Sequence, residues 1–577
     1  METSPPIYTE LNECQDCFKC VRECPVKAIR ISNACANVIQ NACLACGTCV
    51  WVCPSGAKRV RDDLAVAEHL LASRERVYVS LAPSFVAEFP GLAPGALINA
   101  LKLLGFDGVS ETALGAQQVS GSAAAMMADP QRRLLISSAC PVVVDYVQKY
   151  KPELTSVITT IASPVLAHAS LLRQRYGTGI GIVFISPCIA KKREADAHPE
   201  LLDVAITFDD LRRWFSERDI DPERCTPAAD DRFVPERAAE GGLYPVDGGM
   251  CASVKAGCTA TDSQFMAFSG LSTIEKALAD LDEMPLDRPV FLEMLACEGG
   301  CINGPKGTSR TATVWKRARI IDYARLDATR LPRAPEAPEL PLASVEPVVA
   351  KVYSETQIVE CLRSIGKQTP EDELNCGGCG YDNCREFAKA LADGKAERVM
   401  CVTYMRKLAQ KKANALMART PNALVIADAD LNIVECNANF ARLMGDDLLA
   451  AWENNQGLEG ISLRTIAPYY HYFQSVLDHG DDILNRTIRY RLSVFRASFF
   501  SIEEHQVVCA ILQDITRPAA KKERVVQQVQ EVLRKNMSTV QQIAFLLGEN
   551  AAETEVTLND MIESFSHPEM DDGDAPE

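Results

Sequence analysis

Cysteines dominate the chemistry that this sequence can support, since 23 of its 577 residues are Cys. The first 62 residues carry one pattern twice, with three cysteines at three-residue steps, then a fourth cysteine followed by proline. The two copies are Cys14, Cys17, Cys20 and Cys24, then Cys43, Cys46, Cys49 and Cys53. Thiolate sulfur suits iron, and three closely spaced cysteines can hold three corners of a four-iron cube. The repeat therefore predicts two iron–sulfur clusters.

This run resembles the cluster-binding run of bacterial two-cluster ferredoxins, in which the fourth cysteine of each copy serves the other cluster. The resemblance assigns one [4Fe–4S] cluster to Cys14, Cys17, Cys20 and Cys53, and the other to Cys43, Cys46, Cys49 and Cys24. Zinc is the alternative, but zinc modules usually pair two CxxC knuckles across a longer gap. Cys35, between the copies, is expected to be a packed thiol.

Four more cysteines stand in three short motifs of the central region. The motifs are SSACP at 137–141, SPCIAKKRE at 186–194 and EMLACEGGC at 293–301. Apolar runs that read as strands precede them, at Leu134–Ser137, Ile180–Ile185 and Val290–Leu295, with a further run at Val77–Leu81. Ligands at separate strand ends converge in an α/β core. We therefore expect Cys140, Cys188, Cys297 and Cys301 to hold another [4Fe–4S] cluster.

These three motifs resemble, in the same order, the signatures TSCCP, MPCxxKKxE and ExMACxGGCxxGG of the [FeFe]-hydrogenase catalytic domain. The resemblance covers roughly residues 63–320. It implies that Cys301 bridges the cubane to a two-iron subsite carrying CO, cyanide and azadithiolate. It also implies that Lys191 contacts one cyanide, that Ala82-Pro83-Ser84 faces the other, and that Ser186, Pro187 and Leu295 belong to the pocket. An ammonium beside an anionic ligand is favourable in a dry pocket, whereas the alternative for Lys191 is a surface lysine.

Departures from that family concern proton transfer. Ala139 stands where the family has its proton-passing cysteine, Ser186 and Leu295 replace methionines, and Pro305 interrupts the usual glycine run. The stretch LGAQQVSGSAAAMM offers no carboxylate for the rest of the family's proton path. General acid–base relays contribute a factor of roughly 10² to 10⁴, so we expect a site that binds hydrogen but turns over slowly. Glu298 is a candidate replacement relay, or simply a surface or cap carboxylate.

A fourth cysteine cluster lies further along, at Cys376, Cys379, Cys384 and Cys401. Its CGGCGYDNC core resembles a small [4Fe–4S] module of electron-transport and corrinoid proteins, with a zinc knuckle as the alternative. The glycines of the core permit a tight wrap around a cluster. Its position between the hydrogenase-like region and the C-terminal region suggests an outward electron path.

Residues 412–516 resemble a PAS domain, a sensor or dimerisation module, through NALVIAD at 422–428, VECNANF at 434–440 and DIT at 514–516. Whether it holds a ligand is open. Residues 517–577 are expected to form a helix and an acidic tail. The apolar seam of this helix, at Val526, Val529, Leu533, Met537, Val540, Ala544 and Leu547, fits a coiled-coil homodimer or packing on its own domain equally well. No kinase, cyclase or DNA-binding signature follows, so output is expected to pass through a partner signalling protein.

Length and shifts in composition indicate several domains, and the alternation of strand-like runs with helical stretches indicates a multidomain α/β protein. We divide it into a ferredoxin-like domain (1–62), an H-cluster domain (63–330), a Pro-rich linker (331–348), a [4Fe–4S] domain (349–411), a PAS domain (412–516) and the C-terminal segment. A formal charge of −17 argues against binding to nucleic acid or a membrane surface. The chain has no 18-residue apolar stretch and no signal-peptide pattern, so a cytoplasmic protein is expected.

Three functions compete on this sequence. A sensory hydrogenase, which responds to hydrogen and passes electrons to the PAS module, explains the clusters, Ala139 and the C-terminal region together. A working hydrogenase that exchanges electrons with ferredoxin or another redox partner fits poorly with the missing relay. A non-enzymatic iron–sulfur relay without the two-iron subsite is favoured by Ser186 and Leu295, but disfavoured by the four cysteines and Lys191.

Overall fold

The computed structural model describes residues 4–129, 131–260, 262–279, 281, 286–324, 336–455, 457–490, 493–515, 531–532 and 534–536. The chain divides into two compact units, Met1–Arg398 and Val399–Glu577. The boundary between them falls inside the range 349–411 that the sequence assigns to one small domain. The seam of the C-terminal helix and the acidic tail lie outside the described residues.

The N-terminal region is built from two similar halves. Its elements are β1 (Ile7–Thr9), α1 (Lys19–Glu23), β2 (Ile29–Ser32), β3 (Cys35–Val38), α2 (Thr48–Val52) and β4 (Lys58–Val60). Strand β1 pairs with β4 and β2 pairs with β3, both antiparallel. Each helix carries the third cysteine of its copy and ends just before the fourth, at Cys24 and Cys53.

The central region contains two parallel sheets. Its strands are β5 (Val77–Leu81), β6 (Gly108–Glu111), β7 (Leu134–Ile136), β8 (Gly181–Ser186), β9 (Val204–Thr207), β10 (Gln264–Ser269) and β11 (Val290–Leu295). One sheet has the order β6-β5-β8-β9 and the other β10-β11-β7. All residues of β5, β8 and β11 are buried, which is why they read as continuous apolar runs. The four strands predicted from those runs are confirmed to within a residue or two.

Helices cover these sheets. They are α3 (Leu64–Ser73), α4 (Phe85–Glu88), α5 (Pro94–Leu103), α6 (Ala113–Met127), α7 (Pro141–Tyr150), α8 (Pro164–Tyr176), α9 (Ala190–Ala197), α10 (Phe208–Glu217), α11 (Gly249–Gly257), α12 (Leu271–Ala277) and α13 (Thr313–Ala324). Small residues let α6 and α8 pack closely, since a Cβ at Gly115 would lie 2.2 Å from the Pro164 carbonyl oxygen. The stretch without carboxylates is thus a close-packed core helix.

A buried ionic network positions α9, the helix that carries Lys191. The fully buried Lys192 Nζ lies 2.9 Å from Asp63 Oδ2 and 3.4 Å from Asp210 Oδ2. Arg61 donates to Asp63 and to Asp196 on α9, at 2.8 Å each. Because the loss of one partner would leave an uncompensated buried charge, this network fixes α9 against the end of the N-terminal region.

The first unit ends with a small cysteine-bearing module. Residues 336–348 are not a free linker between domains, since Leu340 N–H donates to Thr160 O at 2.8 Å and Val348 N–H to Lys149 O at 2.8 Å. Helices α14 (Glu355–Ser364) and α15 (Cys384–Ala392) follow and pack on each other.

The second unit contains a five-stranded antiparallel sheet with helices on one face. Its elements are α16 (Val402–Arg419), β12 (Ala423–Asp428), β13 (Ile433–Cys436), α17 (Ala438–Met444), α18 (Asp446–Asn455), α19 (Leu463–Ile466), α20 (Tyr470–His479), β14 (Ile483–Tyr490), β15 (Ser493–Glu503) and β16 (Val507–Asp514). The strand order is β13-β12-β16-β15-β14. Among the described residues, no helix combines the length and apolarity needed to cross a membrane.

Candidate functional site

A buried cavity of about 100 Å³ lies where strand ends of the two central sheets meet. Ala82, Pro83 and Ser84 line it from the end of β5, and Thr112 lines it from the end of β6. Ser186, Pro187, Cys188 and Lys191 reach it from the end of β8 and the start of α9. The other sheet supplies Ala139 and Cys140 after β7, then Leu295 and Cys301 at and after β11. Apart from Cys297 and Glu298, every predicted pocket residue lines this cavity.

The four central cysteines are brought together here. Burial raises the pKa of the Cys188 thiol to about 11, and the nearby Cys140 adds to that rise. Burial also raises the pKa of Cys297 well above its ordinary value, as do the neighbouring thiols of Cys301, Cys188 and Cys140. Such a group ionises only when a metal shares its charge, because a coordinating thiol is deprotonated outright. Among the described residues, no three His, Cys, Asp or Glu side chains could hold a single metal ion.

Lys191 is a buried cation in the cavity wall. The residue is 8% exposed, and its Nζ lies 2.5 Å from Glu194 Oε2 and 3.1 Å from Ser163 Oγ. The nearby ammonium lowers the pKa of Cys188 and Cys301, against the larger effect of burial. The position of Lys191 is thus suited to an anionic ligand in the cavity, and it is not a surface lysine.

Ser84 supplies the observation that tests whether a polar group fits this cavity. Its hydroxyl is buried and has no hydrogen-bond partner among the described residues, yet the residue lines the cavity wall. An unpaired buried hydroxyl is costly, so its hydrogen is available to a ligand. Four thiols, an ammonium and this free donor fit an anionic iron–sulfur group that carries acceptor ligands.

The substituted residues are well accommodated. Ser186 Oγ accepts the backbone N–H of Cys188 at 3.2 Å, which a methionine could not do as well. Ala139 N–H donates to Ser137 Oγ at 3.1 Å, and its methyl side chain faces the cavity without a transferable proton. The residues that depart from the family therefore pack as structural neighbours of the site.

Glu298 does not reach the cavity. Its side chain is exposed and lies against Gly270, while its backbone carbonyl accepts from Asn303 Nδ2 at 3.0 Å. The left-handed Gly299 and Gly300 turn the chain back toward Cys301 and leave Glu298 outside. Glu298 is therefore a surface carboxylate, the alternative that the sequence left open, and it is not placed to act as a relay at the cavity.

A chain of hydroxyls and one imidazole begins at the cavity and was not evident from the sequence. Thr112 Oγ1 lies 2.8 Å from Ser80 Oγ, which lies 2.8 Å from His168 Nδ1, and His168 Nε2 lies 2.7 Å from Ser110 Oγ. Burial lowers the pKa of His168 to about 3, so the ring is neutral at physiological pH. The chain ends at the fully buried Ser110 and thus does not reach the surface among the described residues.

Glu293 is another buried carboxyl that sequence spacing left without a role. Its two oxygens accept the N–H groups of Gly248, at 2.9 Å, and Cys251, at 2.7 Å. Burial raises the pKa of Glu293 to about 7. Glu293 therefore anchors the start of α11 to strand β11. This gives the glutamate that opens the EMLACEGGC motif a structural role.

The N-terminal cysteines form the two groups that the ferredoxin resemblance predicts. Burial raises the pKa of Cys20 to about 12, against a lowering by Lys58, and three thiols of the expected set add to the rise, namely Cys17, Cys14 and Cys53. Burial raises the pKa of Cys24 to about 11, and the thiols that add to it are those of the other set, Cys46 and Cys43. The fourth cysteine of each copy thus lies with the thiols of the other copy.

The second of these groups packs against the central region. Lys149 Nζ donates to Cys43 O at 2.9 Å, and Tyr150 Oη donates to Ala42 O at 2.7 Å. Gly47, next to Cys46, has φ of +83°, and a Cβ there would lie 2.5 Å from Pro305 Cβ. Cys46 is also among the thiols that raise the pKa of Cys297. Pro305, which departs from the family pattern, therefore packs against the bare face of Gly47.

The C-terminal cysteines are divided between the compact units. Cys376, Cys379 and Cys384 lie in the first unit, where Cys384 N–H donates to Asn375 Oδ1 at 2.8 Å at the start of α15. Cys401 is buried in the second unit, directly before α16. The predicted fourth set therefore remains a prediction as a set.

Cys35, expected from the sequence to be a packed thiol, and Cys436 both lie outside the predicted cluster sets. Cys35 is half-buried. Its pKa is raised mainly by burial and, to a smaller extent, by the neighbouring thiol of Cys14. Cys436 is buried in the core of the antiparallel sheet, which raises its pKa to about 11.

Family models match three parts of the chain. Residues 75–305 match the C-terminal domain of the iron only hydrogenase large subunit. Residues 36–59 match a 4Fe-4S binding domain, and residues 372–403 match a model of an Fe-S cluster segment. The second match contains the cysteines of the second N-terminal copy, and the third contains all four C-terminal cysteines.

Individual relatives are distant. Iron hydrogenase 1 of Clostridium pasteurianum is 23% identical over 294 residues, which cover 41% of this chain and 51% of that protein. The NADP-reducing hydrogenase subunit HndD of Solidesulfovibrio fructosivorans is 25% identical over 302 residues, with shares of 41% and 51%. A structure of the [FeFe]-hydrogenase HydA1 from Chlamydomonas reinhardtii has a TM-score of 0.37 and 20% identity, over 46% of this chain and 90% of that one. The chain spans about half the length of the curated relatives it matches.

Substitution of Gly47 tests the contact between the second N-terminal copy and the central region. We expect Gly47→Ala to displace the Cys43–Cys46 loop, because the new methyl group would overlap the Pro305 ring. Overpacking of this kind costs about 1–3 kcal/mol. Iron content and the electron paramagnetic resonance (EPR) signal of the reduced clusters would report it as loss or distortion of one cluster.

Gly56→Ala is the matched control, since Gly56 also has a positive φ, of +69°, but has open space around its Cβ position. Equal losses in the two variants would mean that backbone strain, and not the Pro305 contact, governs this loop.

Proposed function

We propose that this protein, whose residues 75–305 belong to the iron-only hydrogenase family, is a sensory [FeFe]-hydrogenase. It binds H₂ and oxidises it slowly and reversibly (H₂ = 2 H⁺ + 2 e⁻), and it passes the electrons through [4Fe–4S] clusters to a PAS output module. The observation that carries this proposal is the convergence of three thiols, the Lys191 ammonium and the unpaired Ser84 hydroxyl on one cavity, with the thiol of Cys297 beside the other three.

Each group at the cavity has a role in this proposal. Cys140, Cys188, Cys297 and Cys301 would hold the cubane, with Cys301 as the thiolate nearest the two-iron subsite. Lys191 and Ser84, which follow the adjacent parallel strands β8 and β5, would donate hydrogen bonds to the cyanide ligands, while Ala82, Pro83, Pro187 and Leu295 line the cavity with apolar surface. When bound, the subsite supplies the splitting of H₂ into protons and electrons. The protein orients it, because charge-assisted donors in a dry pocket fix an anionic group firmly.

Slow turnover follows from the proton path. Ala139 cannot carry a proton, Glu298 is exposed, and the hydroxyl chain from Thr112 ends in the core. The loss of an acid–base relay costs a factor of roughly 10² to 10⁴ in rate. This favours a sensor over a hydrogenase that works in bulk metabolism with ferredoxin. The free Ser84 donor and the buried Lys191 in turn favour a loaded subsite over a relay without one.

Contacts within the first unit support an electron path toward the C-terminal module. Lys27 Nζ donates to Arg22 O at 2.9 Å and to Gly380 O at 3.0 Å, and Arg22 donates to Gly378 O at 3.3 Å. The loop that carries Cys376 and Cys379 is thereby docked on α1, the helix that carries Cys20 and leads to Cys24. In this proposal electrons pass from the cavity to the cluster near Cys46, and from the N-terminal clusters to the C-terminal one.

The antiparallel sheet of the second unit supports a PAS output module. One sheet face is buried against α17, α19 and α20 in an apolar core, and a PAS module of this kind is expected to act through a partner signalling protein and a homodimer. In this proposal H₂ and protons are the substrates of the site. A redox protein and this output module exchange electrons with it.

Restoring the missing relay tests the sensory assignment. We expect Ala139→Cys to raise hydrogen turnover by about tenfold or more, because it returns one step of a relay worth roughly 10² to 10⁴. Ala139→Ser is the matched control, since a serine hydroxyl has a similar size but releases its proton far less readily. Turnover would be measured with equal loading of the two-iron subsite. Unchanged turnover in the fully loaded Cys variant would mean that proton transfer at this position does not limit the rate.

Loosening the docked loop tests the electron path. In Gly380→Ala a Cβ would lie 3.0 Å from Arg22 N, on a backbone with φ of +91°. We expect hydrogen to reduce the C-terminal cluster more slowly, because the new methyl group displaces the loop of Cys376 and Cys379 from α1, and freeze-quench EPR would follow the rate.

In Gly394→Ala, a site outside the cysteine loop with φ of +65° and no neighbour within 4 Å of the added Cβ, the rate should stay near that of the wild type. A normal rate in Gly380→Ala would place the electron path elsewhere.

A further inference from the structure

A lysine is buried inside the N-terminal cluster region without a carboxylate partner. Lys58 begins β4, is 3% exposed, and its Nζ donates to Thr9 Oγ1 at 2.6 Å and to the Ala36 carbonyl. Across the described part of the chain, no carboxylate oxygen lies within ion-pair distance of this nitrogen. Neutral acceptors satisfy its hydrogen bonds, but they do not balance its charge. A buried ammonium is retained when an anion compensates it.

The groups around Lys58 belong to one predicted cluster. Its charge lowers the pKa of Cys20, second only to the opposite effect of burial. Its own backbone N–H is among the donors that lower the pKa of Cys53, against burial. The Ala36 peptide links it to a third thiol of the set, since Ala36 N–H donates to Cys14 Sγ at 3.5 Å. Cys49 belongs to the other set, and there Lys58 has a smaller effect on the thiol pKa than burial and three neighbouring thiols.

The internal repeat supplies a built-in comparison. Lys58 follows Cys53 by five residues, and the residue that follows Cys24 by five is Ile29. Ile29 is likewise buried, at 1% exposure, and starts the matching strand β2. The two clusters therefore differ at one equivalent position, with an ammonium beside one and a hydrocarbon beside the other.

We propose that Lys58 raises the reduction potential of the cluster held by Cys14, Cys17, Cys20 and Cys53, and makes it the electron sink of the N-terminal pair. This rests on the proposed function only in so far as both N-terminal clusters are present. One electron leaves the cluster held by Cys24, Cys43, Cys46 and Cys49 and enters the cluster beside Lys58, which gains one negative charge. A fixed cation in a low-dielectric interior favours that more anionic state.

The experiment is a potentiometric EPR titration of the full chain with its clusters loaded, comparing Lys58→Met and Lys58→Gln with the wild type. We expect the gap between the midpoint potentials of the two N-terminal clusters to narrow by about 59 mV in both variants. For one electron, this corresponds to a tenfold change in the equilibrium constant for electron exchange between the clusters. Arg59→Met is the matched control, because Arg59 is the next residue in the strand but lies exposed and pairs with Glu13. Its gap should stay near that of the wild type.

An unchanged gap in both Lys58 variants with both clusters bound would overturn the proposal. If both variants lose the cluster while Lys58→Arg retains it at a wild-type potential, the charge itself is required and the proposal stands. If Lys58→Arg loses the cluster as well, the lysine acts by shape, and the proposal fails. If the wild type has no four-iron EPR signals, the proposed cluster function fails at an earlier step than the role of Lys58.

Discussion

Thiols that lie buried side by side cannot ionise together unless a metal shares their charge. Burial and neighbouring thiols hold the pKa of Cys297 well above its ordinary value and raise that of Cys188 to about 11. Cluster binding and thiol ionisation are therefore one event, coupled to proton release. The N-terminal sets obey the same constraint, with Cys20 and Cys24 as their most informative members. The fold must bring these thiols together before any redox chemistry is available.

Parallel strands meet that requirement in the central region. The carboxyl ends of β5, β6 and β8 in one sheet face those of β7 and β11 in the other, so each motif delivers its residue to the cavity from a rigid strand end. The neighbouring N-terminal loop packs on the central region through Gly47 and Pro305. The packing between the two regions therefore places the second N-terminal group of thiols next to the central ones.

Local patterns predicted much of this arrangement. Continuous apolar runs predicted β5 and β11 because both strands are buried on both faces. The resemblance to two-cluster ferredoxins predicted that Cys24 and Cys53 exchange between the two N-terminal sets, and the structure places each of them beside thiols of the other copy. Features that depend on distant segments were not predictable, such as the division of seven strands into two sheets. The fit of Pro305 to Gly47 and the chain from Thr112 to His168 are of the same kind. The exposed position of Glu298 depends on two left-handed glycines, which spacing alone does not reveal.

The proposed function depends on a hydrogen-responsive two-iron subsite in the cavity beside Lys191 and Ser84. The decisive measurement is anaerobic infrared spectroscopy of the full chain, matured with that subsite and recorded before and after the addition of H₂. We expect CO and cyanide bands that shift under hydrogen. The absence of such bands from protein that shows intact four-iron EPR signals would contradict it, and would leave an iron–sulfur relay that does not respond to hydrogen.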